Sequence, residues 1–110
     1  MELDTYTFVL LRRGPRADDY SDEELDELQA VHLAFLDEMR VRGHLVLAGP
    51  FRDQDDETKR GLAIYRTRLD ETRRLREQDP RRLTEQDPSV QAGRIAIEAM
   101  TWLTPKGALP

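Results

Sequence analysis

The chain has 110 residues, 38% hydrophobic and 35% charged, enough for one domain with a substantial core and a salt-rich surface. Its formal net charge of −5 argues against a nucleic-acid partner, since such binders carry a basic stripe. Cysteine is absent, which excludes disulfides, thiolate metal sites and a cysteine nucleophile, and suits a cytoplasmic location.

Residues 6–11 are a β-rich apolar run closed by Gly14-Pro15, which predicts a first strand. The run is too short for a signal peptide or a membrane span, so no membrane association is expected. Ser21 and Glu24 have the spacing of a capping box, in which each side chain satisfies the other residue's amide. A helix should follow to about residue 42, with Leu25, Leu28, His32, Phe35, Leu36 and Met39 as its apolar stripe. Basic Arg40 and Arg42 suit its last turn, and Gly43 suits the left-handed residue that ends it.

Residues 44–48 read as strand two, broken by Gly49-Pro50, and residues 62–66 as strand three. A second helix should begin near Leu69, strand four should span 94–103, and 104–110 should form a loose tail. The order β-α-β-β-α-β is that of an α+β, ferredoxin-like fold: a four-stranded antiparallel sheet with two helices on one face. Residues 1–110 are therefore taken as a single domain. Strand one is apolar on both faces, with Tyr6, Phe8 and Leu10 opposite Val9 and Leu11. Two helices cover one face only, so a homodimer is expected to bury the other.

Residues 73–80 and 81–88 are one octapeptide written twice, RRLREQDP and RRLTEQDP, differing only at Arg76 and Thr84. Two such units do not make a solenoid. Within a continuous helix, eight inserted residues would rotate the face by roughly 80° and add about 12 Å, so a helix cannot absorb them silently. Proline is welcome at the first helical position and aspartate caps well before it, which predicts a corner at Asp79-Pro80 and a short helix over 81–86. Alternatively, one copy loops out. The arginines of this stretch read as a solvated helix face, with acid-first pairs such as Asp70 and Arg74 four apart.

The ordered set His32-Leu33-Ala34, Gly43-His44-Leu45, Ala48-Gly49-Pro50, the stretch from Gln86-Asp87-Pro88 to Gly93, and Pro105-Lys106-Gly107 resembles the YciI-like (YCII-related) family over nearly the whole chain. That resemblance implies a ferredoxin-like fold dimerising in the manner of dimeric α+β barrels. It also implies an active-site pair formed by a histidine of the first helix and the aspartate of an Asp-Pro step. A few relatives are dehydrochlorinases of chlorinated hydroxyquinol-type aromatics, and the wider superfamily includes lactone isomerases and small monooxygenases. The chain departs from the family pattern in two places. Ser89 stands where an aromatic often follows Asp-Pro, and residues 58–61 lack the serine of the glycine-rich stretch that precedes strand three in many relatives.

On the residues alone, His32 on an apolar stripe would be a satisfied core histidine. With the resemblance, His32 becomes the general acid/base and Asp87 the group that fixes its tautomer, leaving the other ring nitrogen for a substrate proton. Asp87 is favoured over Asp79 because the second copy adjoins strand four. Gly49 and Pro50 are expected to line the pocket, and His44 to face solvent. Two histidines without a partner cluster fall short of a metal site, and no phosphate-cradling loop is present, so no metal and no cofactor are expected. The expected activity is lyase- or isomerase-type proton transfer on a small cyclic or aromatic metabolite. The alternative is a non-catalytic dimer that binds a metabolite or a protein.

Overall fold

A computed structural model of the chain describes residues 2–66 and 80–110. Its elements are β1 (Leu3–Arg13), a short 3-10 turn (Ala17–Asp19), α1 (Asp22–Val41), β2 (Leu45–Pro50), β3 (Lys59–Tyr65), α2 (Pro80–Glu85), α3 (Pro88–Gln91) and β4 (Ile95–Pro105). The expected helix from Leu69, and the corner at Asp79, lie outside the described residues. No helix among those described is long and apolar enough to cross a membrane.

The strands form one antiparallel sheet in the order β2-β3-β1-β4. β1 and edge strand β4 form the longest ladder, pairing from Leu3 opposite Pro105 to Arg13 opposite Ile95. Both strands outrun their apolar runs, because ladder hydrogen bonds come from the backbone and accept Asp4, Thr5 or Arg12 as readily as leucine. Thr104 and Pro105, expected in the tail, belong to β4. Beyond them, the Lys106 amide donates to the Glu2 carbonyl and the Gly107 amide to the Asp4 carboxylate. Gly49 and Pro50 likewise continue β2 rather than break it, with Pro50 opposite Gly61. Both prolines sit on edge strands, where a missing amide proton costs no ladder bond.

α1 is framed by local chemistry. Ser21 accepts from the Glu24 amide while the Glu24 carboxylate accepts from the Ser21 amide. At the other end Gly43 adopts φ +83, its amide donates to the Arg40 carbonyl and that of His44 to the Met39 carbonyl, a Schellman closure. The buried stripe His32, Phe35 and Met39 lies on the sheet, where Phe35 and Met39 pack with Val9, Leu11, Ala63, Tyr65, Leu83 and Ile95. Each large apolar side chain buried there contributes about 1.5–3 kcal/mol. The other face of the sheet carries Leu47, Ile64, Phe8 and Met100 in one cross-strand row, and Tyr6 beside Trp102 with ring centroids 6.4 Å apart. Leu47, Met100 and Trp102 are exposed.

Candidate functional site

His32 occupies the middle of α1's inward stripe, one turn before Leu36, and is held against the C-terminal half of the chain. There, Asp87 is the N-cap of α3 and Pro88 its first helical residue. The Asp87 side chain is 1% exposed and uses its two oxygens differently. Oδ1 accepts from the Ser89 amide at 2.9 Å and from the Ser89 hydroxyl at 2.8 Å. Oδ2 faces Nδ1 of the His32 ring in a short, buried contact spanning 55 residues of sequence. Ser89 Oγ lies 3.3 Å from the same nitrogen. Since its proton goes to Asp87, its lone pairs are what it offers to a proton on Nδ1.

The geometry therefore favours the Nδ1-protonated tautomer of a neutral His32, with Nε2 left as an acceptor. The ring lines a cavity of about 560 Å³ between α1 and the sheet. Leu25, Leu33, Leu36, Leu11 and Ile95 form its apolar wall, and Asp18, Gln29, Gln54, Arg13, Arg60 and Arg94 join His32 as its polar groups. Gly49 and Pro50 line it on the β2 side. Asp87 does not, so the carboxylate stands behind the imidazole rather than in the cavity. Gly61, also in the wall, allows the close approach of β2: a Cβ there would lie 2.6 Å from the Gly49 carbonyl oxygen.

The residues singled out in the sequence thus fall into one locality: His32 with Asp87, and Gly49 with Pro50 across the cavity. Asp79 lies outside the described residues. Ser89 was visible only as a departure from the family pattern, although serine two positions after an N-cap aspartate is well placed to return a hydrogen bond to it. Arg60 was likewise noticed only through the missing serine of its segment. His44 corrects an expectation: it is partly buried rather than turned to solvent, and burial, then nearby Arg42, push its imidazole down.

Behind the pair lie Tyr65 and Thr84, both buried. The Thr84 hydroxyl donates to the Pro80 carbonyl at 2.6 Å. The Tyr65 hydroxyl has no hydrogen bond of good geometry among the described residues. Burial pushes this phenol up, opposed by the nearby Thr84 hydroxyl and reinforced by the Asp87 carboxylate. Among the described residues no cluster of histidine and acidic side chains could hold a metal ion.

No curated protein matches the chain in sequence. Among solved structures, it is similar to the 5-chloro-2-hydroxyhydroquinone dehydrochlorinase of Burkholderia phenoliruptrix AC1100, solved with 2,5-dihydroxybenzoquinone. The TM-score is 0.56 at 20% identity, over 91% of this chain and 96% of that one, a likeness of fold. It is also similar to SnoaB, a cofactor-independent oxygenase from Streptomyces nogalater, at TM-score 0.49 and 21% identity, over 96% of this chain and 97% of the other. The pattern of the YCII-related domain matches residues 7–102, nearly the whole length. The chain belongs to the YCII-related domain family.

Proposed function

We propose that this chain is a small cofactor-free enzyme in which His32 and Asp87 carry out general acid–base chemistry, of lyase or isomerase type, on a small cyclic or aromatic metabolite. The observation that carries this reading is a buried histidine whose Nδ1 is held by a carboxylate while its ring borders a cavity. A satisfied core histidine needs no cavity. In the proposed reaction Nε2 takes a proton from a substrate carbon or hydroxyl. Asp87 stabilises the imidazolium so formed, and the proton returns at a neighbouring position or to a leaving group. The cavity volume lies within the range of small-molecule sites, and its apolar wall would pack a ring, with Gly49 and Pro50 as binding surface. The similar dehydrochlorinase, solved with 2,5-dihydroxybenzoquinone, is an example of a ring of that size on this fold. The same proposal includes a homodimer that covers the open sheet face.

Proton abstraction can be read without knowing the final product. A panel of small cyclic and hydroxyaromatic carbonyl compounds is incubated in deuterium oxide, and exchange at carbon is followed by NMR. The protein should accelerate exchange for at least one compound, and His32→Gln should slow it by about 10²–10⁴-fold, the usual contribution of a positioned acid/base. Exchange that is unaffected by His32→Gln, or absent across the panel, would favour a non-catalytic binding module.

A further inference from the structure

The chain is acidic, with a net charge of −5, yet its cavity is basic. Three arginines line it, Arg13, Arg60 and Arg94, against one acid, Asp18. Arg13 and Asp18 are paired with each other, so that couple offers no net charge. Arg94 is half-buried, and its Nη1 donates to the Leu25 carbonyl at 2.9 Å, a neutral acceptor that holds the guanidinium without cancelling it. The Arg60 guanidinium has no hydrogen bond or ion pair with any described residue. Its backbone, however, is fixed. The Phe51 amide donates to the Arg60 carbonyl at 2.8 Å, and Gln54 Nε2 donates to the Lys59 carbonyl at 2.8 Å. Phe51 and Gln54 line the same cavity, so the loop after β2 pins the base of this arginine at the cavity edge.

We propose that the ligand is a ring carboxylate, with its carboxylate taken by the free fork of Arg60 under the positive field of Arg94 and its ring laid on the leucine wall towards His32. This deepens the reading of the site given above and rests on it for the role of His32. A guanidinium fork matches a carboxylate in two parallel hydrogen bonds, which a neutral amide cannot reproduce. Arg60 is exposed at the mouth of the cavity and Arg94 is half-buried beside it, so an anion entering there meets both cations at the edge of an apolar wall.

The test is binding, measured apart from turnover. The ¹⁵N-labelled protein is titrated with benzoate, cyclohexanecarboxylate and benzamide, following the Gly49 and Gly61 amides. At least one carboxylate should shift them saturably and bind ten-fold or more tighter than benzamide. Arg60→Gln, with its spectrum otherwise intact, should bring that carboxylate to the benzamide level, and Arg60→Lys should restore part of the loss. The acid–base reading is judged by the His32-dependent exchange described above and this one by the binding of unreactive carboxylates to Arg60 variants, so failure of either is separable from failure of the other. Saturable shifts for neither carboxylate, equal binding of benzamide, or an Arg60→Gln variant that binds as the parent does, would each overturn the assignment.

Discussion

A carboxylate that caps a helix with one oxygen and meets an imidazole with the other has little freedom to swing away. Asp87 does both, and Ser89 closes the remaining gap by giving Oδ1 two donors, its amide and its hydroxyl. Two ordinary readings of Asp87, helix cap and histidine partner, are therefore the same structure rather than rivals. Thr84 shows at the same scale why the two octapeptides are not equivalent. It is 2% exposed, directly preceded by core residue Leu83 and three positions before Asp87. The other copy has Arg76 at the matching place. An arginine at 84 would bury a charge that the surrounding hydroxyls cannot compensate. Thr84→Arg is expected to cost about 3 kcal/mol or more in denaturant melts. A variant as stable as the parent would mean that the second copy is not the one packed on the core.

Among the elements, α1 was legible in full and the strands only in their middles. Capping box, stripe and Schellman closure act within four residues, so the sequence carries them locally from Ser21 to His44. Strand ends depend on a partner's backbone, which is why β4 runs on through Pro105 and β2 through Pro50 past apparent breakers. The site divides the same way. His32 was readable as the one polar member of an apolar stripe, but spacing cannot bring it to a carboxylate 55 residues on; the family likeness supplied that pairing. Ser89 and Arg60 escaped because their significance lies in what they face, an oxygen in one case and a cavity in the other.

For the whole molecule, the consequential feature is the sheet face away from α1, where Tyr6 and Ile64 are buried but their apolar neighbours are not. Helices occupy the side of Val9, Leu11 and Ala63, while Leu47, Met100 and Trp102 remain exposed on the other. A patch of that kind is rare on a soluble monomer. Light scattering at micromolar concentration should give twice the chain mass. Trp102→Glu should shift the mass towards one chain while circular dichroism stays unchanged. A parent that weighs one chain would contradict the proposed dimer.

The central claim is that the second Asp-Pro step holds the catalytic histidine. The measurement that bears on it most directly is ¹H–¹⁵N NMR of the His32 ring in the parent, Asp87→Asn and Asp79→Asn. The expected result is an Nδ1-protonated neutral ring with a far-downfield Nδ1 proton, lost in Asp87→Asn and kept in Asp79→Asn. An Nε2-protonated ring in the parent, or a spectrum indifferent to Asp87→Asn, would contradict it.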